Sequence, residues 1–521
     1  MSQIDNFDFL HFNQNKNIKK HIKEEIINYS DKIKKTNDKG KVQERNIVLT
    51  NKAIYNFNGT TFRRRIPLKS LIAITVSSIC DEFIVHFADD EYDYLYSSPK
   101  KKKIIEIISN NFENESESDF ELFVLPNVLK DYITTKKDKK NNKQFSKKPT
   151  TGKMDVHEYI FGTKRETIPL VNRQTIFNEN NAQYLNTNVD ISSFEIIKTI
   201  GRGAYGKILL AEYKKSNNLY AIKVIRKDQI ISEDIVDNIL LEKQILSCSK
   251  NEFILNLSFF FQTKERLYFV TPYMPGGDLY NLLKKKHHLD EYTVKFYTCQ
   301  IAMALEYLHS QQIIYRDLKP ENILINDDGY LKLCDFGGCV HMYKNNKEYV
   351  LTGSPFYFSP EMINFEGYNL LTDWWSFGIL IYELLYGNPP FFSNDKYRLY
   401  ELICNGEIIF PEYYFDDDNN KINYNVSNEA KDIIIKLLSK KNVRIGKNGF
   451  EEIQNHSFFA NVNFENIMGK KFNANYKPIV QGKKDLSNFN EEYLNMDIND
   501  SPIEDWIGKY DNYFYEFDVK E

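Results

Sequence analysis

The sequence predicts an α+β chain. A strand-rich segment closed by one helix comes first, and across a polar linker follows a larger region that starts in strands and continues in long helices. Length points the same way, because 521 residues exceed what one core organises and suit two or three domains. The strand assignment rests on NIVLT, AIYNF, SLIAITVS, EFIVHF and YDYLYS, which are short and rich in β-branched and aromatic residues. The helical assignment rests on long patterned runs such as EYTVKFYTCQIAMALEYLHS and NEAKDIIIKLLSK.

The elements divide the chain at composition shifts. Residues 8–134 open on a basic, helix-like stretch, NIKKHIKEEIINYSDKI, and pass into the five strand-like runs. Ser98 and Pro99 then offer a helix cap and first turn, and Ile104, Ile107, Ile108 and Phe112 recur at helical spacing. Several strands closed by one helix predict a small β-barrel or sandwich plugged by that helix. Residues 135–193, with KKDKKNNKQFSKKPTTGK and NENNAQYLNTN, read as a flexible linker. Residues 194–459 form the larger folded region. A polar tail, 460–521, ends in aromatic residues.

Charge and cysteine usage exclude several functions. The net charge of −4 gives no global reason to bind nucleic acid. The six cysteines (Cys80, Cys248, Cys299, Cys334, Cys339, Cys404) lack CxxC pairs or matching histidines, so neither a zinc site nor a disulfide framework is indicated. MSQIDNFDF has no signal-peptide pattern, and no apolar run approaches the roughly 20 residues of a membrane span. A cytoplasmic protein able to visit a membrane surface is expected.

Chemistry enters with TIGRGAYGKILLAEY, where Gly201, Gly203 and Gly206 form GxGxxG. Such glycines let a backbone approach phosphate, in a dinucleotide site or in another nucleotide site. A dinucleotide site calls for a helix directly afterwards, but KILLAEY continues as a strand. Lys223 then stands inside the apolar strand AIKVI, either as an edge residue reaching water or as a phosphate-gripping lysine. The second reading requires a carboxylate on a later helix, and Glu242 in SEDIVDNILLEKQIL supplies it.

IIYRDLKPENILI and LKLCDFGG narrow the reading. Phosphoryl transfer needs a carboxylate to accept the proton of an attacking hydroxyl, and oxygen ligands for the magnesium ions on the phosphates. Asp317 suits the first role, and Asn322 and Asp335 suit the second. Lys319, two residues after Asp317, is placed to reach the transferring phosphate.

In this order GRGAYG, AIK, YRDLKPEN, DFG and SPE resemble a eukaryotic protein kinase, and DWWSFGILIYELLYGNPPFF with the tail is similar to the AGC group. The resemblance implies a bilobal fold, with a β-rich first lobe and a helical second lobe, and use of ATP and magnesium. By position it implies that Ile208 and Ala221 line the nucleotide site. Adenine would lie along the hinge at Pro272 and Met274, behind a small gatekeeper, Thr271. Asp373 would brace the catalytic loop, and Glu361 would pair with Arg444. The competing readings are a pseudokinase scaffold that binds nucleotide without transfer and a lipid-binding adaptor.

YVLTGSPFYFSPE resembles the substrate platform at the end of an activation segment. Leu351, Pro355 and Phe358 would form an apolar wall there, and Asp278, Glu321 and Glu383 match acidic positions that receive arginines before the acceptor. Protein substrates with Arg or Lys ahead of Ser or Thr are implied, and Asp278 also falls in the nucleotide site. Val350 stands where most active relatives carry a phosphorylated threonine. In the tail, SNFNEEY resembles a segment crossing the nucleotide pocket, and FYEFD, with Phe514 and Phe517, a hydrophobic motif in which Asp518 replaces a phosphorylatable residue. The first region resembles the pleckstrin-homology-like tail domain of class I myosins, which implies a regulatory protein or anionic lipid as partner through Arg63, Arg64, Arg65 and Lys100 to Lys103. Arg173, Thr175 and Ile176 in the linker resemble a substrate held in cis.

Overall fold

The computed structural model describes residues 7–8, 10, 12, 15–23, 25–36, 41–77, 81–88, 93–115, 120–125, 129–132, 149, 153–154, 156, 189–203, 206–233, 235–342, 348–364, 366–415, 418–498, 514 and 517. They form two compact units, drawn chiefly from residues 1–166 and 167–521. No helix among them is long and apolar enough to cross a membrane.

In the first unit β1 (Phe7–Asp8) pairs in parallel with β2 (Ile27–Thr36), which opens an antiparallel meander with β3 (Val42–Thr50), β4 (Ala53–Asn58) and β5 (Thr61–Pro67). A second meander contains β6 (Leu71–Ser77), β7 (Glu82–Phe87) and β8 (Tyr94–Ser97). The two join where Lys34 of β2 lies opposite Ser97 of β8. The sheet folds over on itself. Tyr29, Ile47 and Ile54 from one half, Ile74, Phe83 and Val85 from the other, and Ile104, Ile108 and Phe112 from a helix share a single buried cluster. That helix is α2 (Lys101–Glu115), and its isoleucine stripe closes the core as expected of a plugged sandwich. β9 (Glu121–Leu125) adds in parallel to β6, and β10 (Lys153–Met154), from the stretch read as linker, adds to β9.

The opening stretch departs from expectation. Only its first part is helical, α1 (Lys16–Ile22), capped by the Asn15 side chain. The backbone reverses at Lys23, with φ of 57° and, from Ile27 on, the chain is a central strand. The periodicity of NIKKHIKEEIINYSDKI favours a helix, but a strand with neighbours on both sides buries Ile27, Tyr29 and Ile33 while completing its backbone hydrogen bonds. α1 covers the other sheet face, burying Ile18 and Ile22 with Val48, Tyr55 and Phe57.

Much of the basic patch is engaged within this unit. Arg65 pairs with Glu25 at 2.7 Å, Lys100 with Asp31 at 3.0 Å and Lys103 with Glu106 at 3.1 Å. Lys101 donates to the Ser77 carbonyl at 2.5 Å.

The second unit begins with a five-stranded antiparallel sheet: β11 (Phe194–Gly203), β12 (Gly206–Tyr213), β13 (Asn218–Arg226), β14 (Phe259–Gln262) and β15 (Arg266–Pro272). Its order is β11-β12-β13-β15-β14, with α3 (Lys227–Ser232) and α4 (Val236–Cys248) following β13. Phe194, Leu209, Ile222, Val224 and Val270 make a core on one face. The rest is mainly helical, with short antiparallel strand pairs, Ile313–Ile314 with Val340–His341, Ile323–Ile325 with Leu331–Leu333 and Tyr413–Phe415 with Lys421–Asn423. α5 (Leu279–Lys286) is capped by Asp278, and α6 (Glu291–Ser310) by Asp290, which accepts from Thr293 N at 3.0 Å. α7 (Leu371–Tyr386) is apolar almost all round and buried, and it ends where Gly387 takes a left-handed φ of 84°.

Candidate active site

The residues expected to line a nucleotide site come together because the sheet register aligns them. In β11 and β12 Gly201 lies opposite Ile208 and Gly203 opposite Gly206, which folds the glycine segment back on itself. Ile208 in turn faces Lys223 on β13, and Ala221 faces Thr271 on β15. A Cβ on Gly203 would stand at ordinary contact distance, 3.8 Å from the Gly206 oxygen and 3.9 Å from Lys223 Cε, which puts the end of β11 beside the lysine. Pro272 is exposed at the end of β15, Met274 is buried, and the Gly276 amide donates to the Ile325 oxygen at 3.0 Å, tying the hinge to the helical part.

Lys223 is shared between two carboxylates. Its Nζ lies 2.7 Å from Glu242 Oε1 on α4 and 2.8 Å from Asp335 Oδ1. Burial works against the lysine charge, yet Asp335 and Glu242 outweigh it and hold its pKa above the usual value. The ammonium keeps Asp335 below the ordinary carboxylate range, whereas burial pushes Glu242 up. Asp335 has a positive φ of 55°, a strained conformation for a residue with a Cβ, which aims its carboxylate at Lys223.

A second polar group forms around Asp317. Lys319 Nζ is 2.7 Å from Asp317 Oδ2, and Asn322 Nδ2 donates to the same oxygen at 2.9 Å and to the Asp317 carbonyl at 2.8 Å. Ser354 Oγ is 3.4 Å from Asp317 Oδ1. The loop carrying Asp317 is held by Asp373 at the start of α7, which accepts from Tyr315 N at 2.8 Å, Arg316 N at 2.9 Å and His309 Nε2 at 2.8 Å. After Lys223, the Lys319 ammonium also helps to hold the Asp335 carboxyl low.

This donor set fits a magnesium–nucleotide. Asn322 commits its amide nitrogen to Asp317, which leaves its side-chain oxygen for a hard cation, and Asp335 meets Lys223 through one oxygen only. Among the described residues no three His, Cys, Asp or Glu side chains converge as a metal cage, so such an ion would draw much of its shell from phosphate.

The described part of the platform is rigid for identifiable reasons. Gly353 has a φ of +106° and passes so close beneath the catalytic loop that a Cβ would fall 2.3 Å from the Arg316 oxygen. Tyr357 is buried and donates its hydroxyl to Glu383, and Ser376 Oγ donates to the Tyr357 oxygen at 3.0 Å. Phe358 is buried, and Pro355 starts a short helical turn.

Residues 194–459, just over half of the chain, match the protein kinase domain family. The chain belongs to the protein kinase family. Serine/threonine-protein kinase YPK1 of Saccharomyces cerevisiae is 36% identical over 355 residues, which cover 66% of this chain and 50% of that protein. Serine/threonine-protein kinase Sgk1 of Xenopus tropicalis is 37% identical over 322 residues, 61% of this chain and 73% of that protein. Protein kinase 2 of Dictyostelium discoideum is 36% identical over 312 residues, 60% of this chain and 63% of that protein. The chain spans half to under two-thirds of the length of YPK1 and Protein kinase 2. The AGC resemblance holds, and residues 6–160 match the family described as unconventional myosin tail, actin- and lipid-binding.

The tail of the kinase supplies contacts that its motifs announce only in part. Phe489 stacks on Tyr273 of the hinge at 5.6 Å, and the Tyr273 hydroxyl donates to the Asp485 oxygen at 2.8 Å. Asn488 donates to Pro275 O at 3.1 Å, and its own oxygen lies where a Cβ on Gly277 would stand. Lys207, beside the last glycine of the loop, donates to the Ile498 oxygen at 2.7 Å. Neither Asn488 nor Lys207 stands out in the sequence, because both act through backbone oxygens that only the tertiary fold brings near. Phe514 and Phe517 are buried among Lys227, Lys243 and Phe260, whereas Asp518, Arg173, Thr175 and Ile176 lie outside the described residues.

Proposed function

We propose that this kinase transfers the γ-phosphoryl group of ATP, with magnesium, to Ser or Thr in basic protein segments, and that its first unit regulates this through a membrane lipid or a protein partner. The observation that carries the reading is the division of one lysine, Lys223, between Glu242 and Asp335, next to a carboxylate, Asp317, backed by Lys319 and Asn322. Lys223 grips the phosphates and Glu242 fixes its position. Asp317 orients the acceptor hydroxyl and takes its proton as the new P–O bond forms and the bond from the γ-phosphorus to the bridging oxygen breaks, releasing ADP, while Lys319 offsets charge on the transferred group. Asn322 and Asp335 are the residues that would hold magnesium, which supplies charge neutralisation at the phosphates. Gly201, Gly203, Gly206, Ile208, Ala221, Thr271, Pro272 and Met274 enclose the nucleotide. Our division into regulatory domain, linker, catalytic domain and tail is 8–134, 135–193, 194–459 and 460–521, with Lys153–Met154 of the linker stretch completing the sheet of the first domain.

Radiolabel transfer from ATP to a basic Ser/Thr peptide tests this in the full chain. Wild type should label the peptide, and Asp317→Ala and Asp335→Ala should not. Equal labelling by all three proteins would refute the proposal, and nucleotide binding without labelling by wild type would favour a pseudokinase.

A further inference from the structure

Helix α4 presents Glu242 and, one turn earlier, Asn238 on the same face. Glu242 is absorbed by the ion pair with Lys223. Asn238 has no role in that pair, yet its half-buried side chain points at the backbone that follows Asp335. Its Nδ2 donates to the Gly337 oxygen at 3.3 Å and to the Cys339 oxygen at 3.4 Å. From the catalytic loop Arg316 reaches the same stretch, with Nε donating to Gly338 O at 2.5 Å and Nη2 to Cys339 O at 3.4 Å. Three consecutive carbonyls therefore accept from side chains of two different elements, and that of Cys339 accepts from both.

The placement has a mechanical consequence. Asp335 and Phe336 immediately precede these carbonyls, and Asp317 immediately follows Arg316. A backbone gripped from helix α4 on one side and from the catalytic loop on the other keeps Asp335, Lys223 and Asp317 in one arrangement. Arg316 takes a positive φ of 69°, a conformation that costs energy and persists only when its surroundings hold it. We propose that Asn238 is a positioning residue, whose amide donor, together with Arg316, locks the 337–339 backbone to helix α4. The inference rests on the kinase reading above.

An isosteric substitution separates this role from mere helix packing. Asn238 is in the first turn of α4, where a carboxylate suits the helix dipole, so Asn238→Asp should leave the helix intact or strengthen it. That change also turns the donor into an acceptor facing carbonyl oxygens. In the full chain, assayed with the basic peptide, Asn238→Ala should lower kcat about three- to tenfold, the loss expected of a hydrogen-bond donor. Asn238→Asp should lower it further, with peptide KM little changed and the melting temperature not reduced. Activity of Asn238→Asp equal to wild type, or a loss confined to peptide KM, overturns the proposal. Amide hydrogen exchange across residues 335–342 is an independent readout that needs no turnover: exchange should be faster in Asn238→Asp, and unchanged exchange also overturns it. Wild type that transfers no phosphate defeats the kinase reading, leaving the exchange result to decide the clamp.

Discussion

Lys243 Nζ donates to the backbone oxygen of Phe517 at 2.6 Å. The lysine is one residue beyond Glu242, so the turn of α4 that pairs with Lys223 also holds this part of the tail. Phe517 stacks near Phe260 at 6.2 Å, Lys243 lies 4.4 Å over the Phe260 ring, and Lys227 lies 4.6 Å over Phe514. Burying each phenylalanine contributes about 1.5–3 kcal/mol. The double substitution Phe514→Ala with Phe517→Ala should therefore release the tail and reduce peptide phosphorylation severely. Asp518→Ala should reduce it modestly, because its charge is present without modification. Steady-state rates decide both, and an unaffected double variant would mean that docking has no part in activity.

Recognition of basic substrates should depend on pH. Burial, with Glu321 adding to it, pushes Asp278 up to about 6 and Glu383 up to about 7. As pH falls through 7 and then 6, both lose the charge that would attract arginine. Peptide KM should rise from pH 8 to pH 5.5 while ATP KM moves less. The same shifts have the opposite sign for folding: carboxyls with raised pKa contribute stability that is complete below their unfolded values and lost as pH rises through 6 to 7. Initial rates against pH for an arginine-bearing peptide and an alanine analogue provide the check. Equal profiles for the two would separate these carboxylates from substrate binding.

Activity should not require a phosphate on the activation segment. Glu348 Oε1 accepts the amides of Tyr349 at 2.8 Å and Val350 at 2.9 Å, and the Tyr368 hydroxyl donates to the Val350 oxygen. The Arg316 guanidinium already donates to the Gly338 and Cys339 oxygens. Phosphatase-treated protein should keep its turnover, and Val350→Thr should not raise it. Loss of activity on phosphatase treatment, with the missing phosphate mapped between Gly338 and Ser354, would contradict this.

Gly353→Ala should disable the platform. At a φ of +106° any side chain is strained, by about 1–3 kcal/mol, and here the added Cβ would fall 2.3 Å from the Arg316 oxygen. The backbone must then withdraw from beneath Asp317, carrying Ser354 with it. We expect a large fall in kcat with little change in the global melting temperature, measured by peptide kinetics and thermal unfolding together.

Much of the fold and of the candidate site is written in local sequence pattern. Gly201, Lys223, Glu242, Asp317, Asn322 and Asp335 were singled out as candidates from residue type and order, because phosphoryl transfer draws on few side chains and each sits in a recognisable local pattern. The plugged sandwich was legible from short strands followed by an isoleucine-striped helix. Local pattern failed from Ile27 to Ile33, where helical periodicity lost to the burial and hydrogen bonding available to a central strand. It was equally silent about Asn238, Asn488 and Lys207, since each donates to a backbone oxygen, and a carbonyl leaves no mark in a sequence. The resemblance to the myosin tail domain pointed to Arg63, Arg64, Arg65 and Lys100 to Lys103 as a contact for lipid or a partner, and the fold engages Arg65 with Glu25, Lys100 with Asp31, Lys101 with the Ser77 carbonyl and Lys103 with Glu106. Residue type and order were enough to nominate the groups for the chemistry, whereas what holds them came from the fold, because contacts such as Asp373 with Tyr315 and Asn238 with Cys339 join residues far apart in the chain, through main-chain atoms that every residue shares.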